Sequence, residues 1–242
     1  KYSDHVFVQS EQMKKDIQAE GFDARCMTAI PMGIDMDAFD LEGKTRPASD
    51  IRKARIVYLG TLSKTRRMDF IIKVFAKVIK KIPDAKLYLI GKGDTEEDIE
   101  ILVNEAQKFG ILESIIFTGF IDRSDALKIV NSAEVCLSPF YPTPVLNSTS
   151  PTKLIEYMAM GKPVVANDHP EQKFVIEKSG AGICVPYREA EFAEAIIYLL
   201  KHPSICEKMG TVGKKWVLQH RTYPLIANTV ECVYYNTIDR VL

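Results

Sequence analysis

The 242-residue chain is poor in the groups that build metal sites. Its four histidines, His5, His169, His202 and His220, show neither H-x-x-x-H nor H-E-x-x-H spacing, so no metal is expected. The five cysteines (Cys26, Cys136, Cys184, Cys206 and Cys232) are odd in number, widely spaced and without a C-x-x-C pair. Cys136 and Cys184 sit inside apolar runs, where a free thiol behaves as a small core hydrophobe; this usage points to a reducing compartment. No apolar stretch nears the ~20 residues of a membrane span, and no signal-peptide pattern is present. Glycine (13) and proline (12) are too scarce for a collagen-like or disordered chain. Net charge is lacking too, with 32 Lys and Arg against 32 Asp and Glu. A broad nucleic-acid footprint needs a clustered basic excess, so no nucleic-acid partner is expected, while a local phosphate site stays open. The chain begins at Lys1, already inside an apolar run, and reads as a piece whose natural beginning lies upstream.

What is present is alternation. Near-continuous apolar runs at 56–59, 87–90, 115–117, 135–137, 164–166 and 183–185 have the look of strands buried on both faces of a parallel sheet. Between them lie amphipathic stretches. Ile71, Val74, Phe75, Val78 and Ile79 follow the spacing of one buried helical stripe ahead of Pro83, and Ile99, Leu102, Val103 and Ala106 repeat it. Phe192, Ala195, Ile196, Leu199 and Leu200 do so again. This order predicts an α/β fold, a doubly wound parallel sheet with helices on both faces, over 55–223. Residues 1–40 offer one short strand at 6–8, one helix over about 10–20 and an extended piece at 28–30, too little for a core of their own. Residues 41–54 have a linker's polar composition. Beyond Pro224, residues 224–242 read as a helix with no strand partner.

In an open parallel sheet, ligands bind outside the carboxyl ends of the strands. Gly60-Thr61-Leu62-Ser63-Lys64-Thr65-Arg66-Arg67 follows the first strand of the large unit and Gly91-Lys92-Gly93-Asp94 the second. Gly119-Phe120 follows the third, a loop over 139–149 the fourth, and Asn167-Asp168 the fifth. These glycines permit close approach to a ligand, and they equally serve plain turns. The chain has neither a dinucleotide fingerprint nor a P-loop. The most informative stretch runs from Ser150 to Gly161. Ser150 suits an N-cap, Pro151 the first helical position and Gly161 a stop, and the helix between is apolar nearly all round. Its two charges, Lys153 and Glu156, lie three apart. A lysine in the first turn faces the positive helix end, which makes sense if an anion is held there by free amides and the ammonium together. A simple Lys153–Glu156 pair is the plain alternative. Lys64, Arg66 and Arg67 repeat the oddity at the preceding helix start, with solvated surface charge as their alternative reading.

Three stretches, IVYLGTLSKTRRMDFIIKVFAKVIKKIPDAKLYLIGKGD, FTGFIDRSDALKIVNSAEVCLSP and SPTKLIEYMAMGKPVVAND, resemble the donor half of GT-B glycosyltransferases, and more narrowly the retaining group 1 family (family 4). The opening, DHVFVQSEQMKKDIQAEGFDARCMTAIPMGIDMDAF, is similar to the family's last segment before that half. The resemblance implies a donor-binding part of an enzyme (a hexosyltransferase) moving a sugar from a nucleotide-diphosphate sugar to a lipid-linked or polysaccharide acceptor, with retention and without metal or other cofactor. It implies that Gly60, Thr61, Lys64 and above all Arg67 hold the pyrophosphate, with Gly91 beside them. Gly119, Phe120 and Ile121 would wall the nucleobase, and Glu156, second carboxylate of the family's E-x7-E motif, would take the ribose hydroxyls. Ser150, Pro151 and Thr152 would begin a helix aimed at the phosphates, and Arg67 and Lys153 would carry the catalytic charge.

The chain departs from the family at Ser148, where the first glutamate is expected, and at Thr61, where many members have arginine. The amides of 147–150 and Lys153 are read as substitutes for that glutamate. Residues 1–40 would be a remnant of an N-terminal acceptor domain that is the chain's partner, and residues 224–242 would cross back to it. The resemblance implies a cytoplasmic protein, with any peripheral membrane contact, at the inner face of the membrane, falling to that half. The chain alone is expected to bind donor without transferring. A nucleotide-sugar 2-epimerase and a non-catalytic nucleotide-sugar-binding module are the alternatives.

Overall fold

The computed structural model describes residues 3–36, 39 and 54–241, so the linker expected over 41–54 lies outside the described residues except for Ala54. At the N-terminus, β1 (Val6–Val8) and β2 (Met27–Ala29) pair in parallel, with α1 (Glu11–Ala19) between them. Ser10 caps α1 by accepting from the Met13 amide at 3.0 Å. No residue of α1 is buried, so this segment gains its order by leaning on the larger unit.

The six apolar runs form that unit's sheet. They are β3 (Arg55–Leu59), β4 (Lys86–Ile90), β5 (Ile115–Gly119), β6 (Val135–Ser138), β7 (Val164–Asn167) and β8 (Gly182–Val185). All pair in parallel in the order β5-β4-β3-β6-β7-β8. The chain winds outward from β3 to β5, returns to β6 beside β3, and winds outward the other way, which puts the topological switch between β3 and β6.

Alternation along the strands separates two cores. Ile56, Tyr58, Leu87 and Leu89 face one side, where α2 (Asp69–Ile79), α3 (Glu96–Lys108) and α8 (Glu189–Lys201) cover them. Val57 and Ile90 face the other, with α4 (Arg123–Asn131), α6 (Thr152–Ala159) and α7 (Pro170–Ser179). The stripe read in α2 is buried from Ile71 to Val78, with Ile79 half-buried at its end, and each large buried side chain there is worth about 1.5–3 kcal/mol. The loop expected over 139–149 carries a short helix, α5 (Pro144–Asn147), which starts where Thr143 accepts from the Leu146 amide at 3.2 Å.

Two further helices follow, α9 (Pro203–His220) and α10 (Tyr223–Val241). Gly210 of α9 lies so close to the turn after α6 that a Cβ would stand 2.0 Å from the Gly161 carbonyl oxygen. The C-terminal helix packs on the N-terminal segment: the Tyr234 ring meets Phe7 edge-on at 5.7 Å, and Ile34 and Tyr223 are joined through the Tyr223 amide at 3.1 Å. Its far side leaves Tyr235 and Ile238 exposed.

Candidate functional site

At the switch point the strand ends open into a cavity of about 740 Å³. Its floor depends on two glycines. The Gly60 amide donates to the Ile90 carbonyl at 2.9 Å, and a Cβ on Gly91 would stand 2.1 Å from the Gly60 oxygen with φ at +136°. Gly119 closes the row by accepting from the Gly91 amide at 3.2 Å. Thr61, Phe120, Ile121, Ser150, Pro151, Thr152, Lys153 and Glu156 all line this cavity, and Phe120 stands at its mouth with 79 % of its surface exposed. All eight are candidates that the sequence also points to.

The helix over 152–159 is buried on the faces of Leu154, Ile155, Tyr157 and Met158, and Tyr157 anchors it by its hydroxyl, which accepts from the Leu59 amide at 2.7 Å. Its start differs from the sequence reading. The helix begins at Thr152, Pro151 takes the cap position, and no side chain caps it. Ser150 is drawn away because its hydroxyl accepts from the Met32 amide at 2.9 Å. The first-turn amides therefore face the cavity unclaimed by a cap.

Lys153 and Glu156 are not paired with each other. Glu156 bonds Arg123 across the cavity at 3.1 Å. The Lys153 ammonium lies 4.4 Å from the Phe140 ring centre and 5.2 Å from that of Tyr58, with no carboxylate partner among the described residues. Burial, and then the Arg66 guanidinium, pull the Lys153 ammonium down to about 7, against a smaller opposing pull from Glu156. The site thus holds a cation whose charge is unfavourable until an anion arrives.

Three expected residues lie elsewhere. Arg66 lines the cavity and Arg67 does not. The chain passes from the single 3₁₀ turn over Lys64–Arg66 into a left-handed residue, Arg67 (φ +53°), which sends the two guanidinium groups opposite ways. Arg67 is held by Asp69 at 3.0 Å instead. Asp69, in the first turn of α2, also removes the charge oddity expected at that helix start. Lys64 is exposed and engaged through its backbone: its amide donates to Asp98 at 2.7 Å and its carbonyl accepts from the Arg67 amide at 3.0 Å. Ser148 turns its hydroxyl to Asp16 of α1, and its carbonyl accepts from Ser10 at 2.7 Å, so it fastens the N-terminal segment and lies off the cavity.

The residues that the sequence reading missed form a supporting layer. The Asp98 carboxylate accepts from the amides of Lys64, Asp94 and Thr95 at 2.7, 2.9 and 3.0 Å, tying the first two glycine loops together. Those backbone bonds, led by Thr95, hold its carboxyl below the usual range. The T-E-E-D run that opens α3 was its visible sign, a capping box. Beneath the 139–149 segment, Asn167 grips the backbone of Phe140 from both sides, at 2.7 and 3.0 Å. His169 accepts from the Gln172 amide through Nδ1, so its Nε2 is the donor to the Leu146 carbonyl at 2.8 Å. Burial lowers the His169 pKa and keeps this neutral form. The layer sets the Phe140 ring against Lys153.

Residues 53–202 match the family Glycosyl transferases group 1, which is more than half of the chain, and the chain belongs to that family. It is 26 % identical over 220 residues to the phosphatidyl-myo-inositol mannosyltransferase of Mycobacterium leprae (strain TN), covering 90 % of this chain and 55 % of that protein. To the alpha-D-kanosaminyltransferase of Streptomyces kanamyceticus it is 25 % identical over 158 residues, 64 % of this chain and 38 % of that one. The chain spans about half the length of the mannosyltransferase it matches and less of the second relative. Its fold is that of Anabaena Alr3699/HepE, solved in complex with UDP-glucose, with a TM-score of 0.82 at 18 % identity, covering 98 % of this chain and 65 % of that one. The glycosyltransferase WaaG, involved in lipopolysaccharide biosynthesis, shares it at a TM-score of 0.76 and 16 % identity, over 93 % and 61 % of the two chains. Among the described residues no helix is long and apolar enough to cross a membrane.

Proposed function

We propose that this chain is the donor-binding part of a glycosyltransferase that moves a sugar from a nucleoside-diphosphate sugar to a lipid-linked or polysaccharide acceptor with retention. The observation that carries the reading is Lys153: a desolvated ammonium with no carboxylate partner among the described residues, in the first turn of an uncapped helix, in a cavity that Arg66 also lines. A diphosphate answers all three features at once, because it is doubly anionic and presents acceptors to the amides. In this reading the phosphates lie between the start of α6, Lys153 and Arg66, and the ribose hydroxyls bond Glu156 in competition with Arg123. The nucleobase takes the end bounded by Gly91, Phe120 and Ile121.

The chemistry follows from charge. Breaking the bond between the sugar's anomeric carbon and the β-phosphate oxygen leaves new negative charge on the diphosphate. Lys153, Arg66 and the α6 amides are already placed against that charge and need little reorganisation. Binding also restores the Lys153 proton, which arms the site only when donor is present. Because the chain spans about half the length of the mannosyltransferase, transfer to an acceptor is assigned to a protein of that relative's length.

Calorimetry tests the reading. UDP, GDP or ADP should bind at least tenfold more tightly than its nucleoside, and salt should narrow the gap. Equal affinity of nucleoside and diphosphate for all three bases would refute it. A radiolabelled nucleotide-sugar assay would then compare this chain with the longer protein.

A further inference from the structure

A second cavity, of about 480 Å³, opens beside the first, between α2 and the start of α8. The two share a wall only one residue thick at two points. Arg66 lines the first cavity and Arg67 the second; Phe140 lines the first and Tyr141 the second. The left-handed Arg67 makes the division possible. A non-glycine residue at φ +53° carries a steric cost, and Arg67 is the one such residue among those described.

The lining combines aromatic rings with matched charges. Tyr187 stacks on Phe70 at 4.0 Å, and Tyr141 meets Tyr187 edge-on at 5.8 Å. Around them each cation already faces a carboxylate: Arg67 and Lys73 share Asp69 at 3.0 and 2.8 Å, Lys77 faces Glu189 at 3.4 Å, and Arg188 faces Glu191 at 3.3 Å. The first turn of α8 has no side-chain cap, which adds backbone donors at the same rim. Burial, and then the Asp69 carboxylate, push the Tyr187 hydroxyl up, so it stays protonated.

We propose that this second cavity binds a neutral saccharide unit, with its ring against Tyr141 and Tyr187 and its hydroxyls on the paired charges of the rim. An incoming anion would meet Asp69, Glu189 and Glu191, and an incoming cation would meet Arg67, Arg188, Lys73 and Lys77. A polyol suits both kinds of group together, because adjacent hydroxyls donate to a carboxylate and accept from the guanidinium paired with it. The C–H face of a sugar ring supplies the apolar surface that tyrosine rings prefer. The donor reading is not required for this site; the shared wall places its ligand next to whatever occupies the first cavity.

The test uses methyl α-D-mannopyranoside, methyl α-D-glucopyranoside and methyl β-D-galactopyranoside, followed by saturation-transfer NMR with the protein alone and with UDP. At least one glycoside should bind with a dissociation constant of about 1 mM, the scale for so small a ligand. Tyr141→Ala and Arg188→Ala should each weaken it about tenfold while leaving UDP affinity unchanged. Tyr141→Phe should retain binding, which separates lost stacking from misfolding. Binding of a glycoside through Tyr141 by a protein that ignores UDP would support this site and sink the donor reading instead. Absence of binding by all three glycosides would overturn the proposal. So would binding untouched by both alanine variants, abolition by saturating UDP, or tighter binding of inorganic phosphate or uridine to the same residues.

Discussion

Replacing Lys153 with methionine should make the protein more stable and leave it unable to hold a diphosphate. In the unfolded chain this lysine keeps its proton up to its ordinary 10.5, whereas in the fold it does so only to about 7. Between those values the folded state binds fewer protons than the unfolded one. Stability therefore rises with pH through that window, and Lys153 weighs against folding below it. At 1.36 kcal/mol per pKa unit, the deficit is about 3 kcal/mol at pH 8 and under about 1 kcal/mol at pH 10. Methionine keeps the unbranched stem and a polarisable tip against the Tyr58 and Phe140 rings. Urea unfolding should then show Lys153→Met ahead by about 3 kcal/mol at pH 8 and by under about 1 kcal/mol at pH 10. Calorimetry of UDP binding at pH 8, repeated in buffers of different ionisation enthalpy, should show uptake of nearly one proton by the parent, about 0.9. A destabilised variant, an equal gain at both pH values, or binding without proton uptake would each refute the reasoning.

Arg66→Ala should weaken UDP binding by about 1–3 kcal/mol, and Arg67→Ala should matter far less; the opposite ranking by calorimetry would return Arg67 to the donor site. Glu156→Gln should lower the preference for UDP over its 2′-deoxy analogue, whereas an unchanged ratio would leave Glu156 as a partner for Arg123 alone. Gly91→Ala should lower stability by more than about 2 kcal/mol in a thermal melt, since its Cβ meets backbone at 2.1 Å and its φ is +136°; a normal melting curve would contradict that packing.

Much of this architecture is written in local pattern. The central strands β6 and β7 are buried along their whole length and read as apolar runs, and the partly buried edge strands β5 and β8 keep enough of that character to be seen. Helix α2 is legible because its polar residues Asp69, Lys73 and Lys77 fall on the narrow face left outside the core. What local pattern cannot carry is contact between distant segments. Ser150 has an N-cap's residue type and lies in an N-cap's place, yet it serves Met32, 118 residues away. Ser148 stands where the family's first glutamate is expected and binds Asp16 and Ser10. Both losses have one cause: a short polar side chain takes whichever partner the tertiary fold brings, and here the N-terminal segment competes for both.

The charged residues show the same limit more sharply, because adjacent cations in sequence say nothing about direction. Arg67 is itself left-handed, so the adjacent Arg66 and Arg67 line two different cavities. Compensation is equally hidden. Arg67, Lys73 and Arg123 all end on carboxylates, so their charge is already answered within the fold. Lys153 ends on two aromatic rings. The first-turn lysine was visible in the sequence as an electrostatic oddity, but its significance depends on the absent counter-charge, which only the packing of Tyr58, Phe140 and α6 reveals. An ammonium desolvated against rings lowers the stability of the empty protein, and that cost is recovered when an anion binds. The direction of this trade, less stable when empty and charged when occupied, is what distinguishes Lys153 from every paired cation around it and makes it the residue on which the donor reading stands.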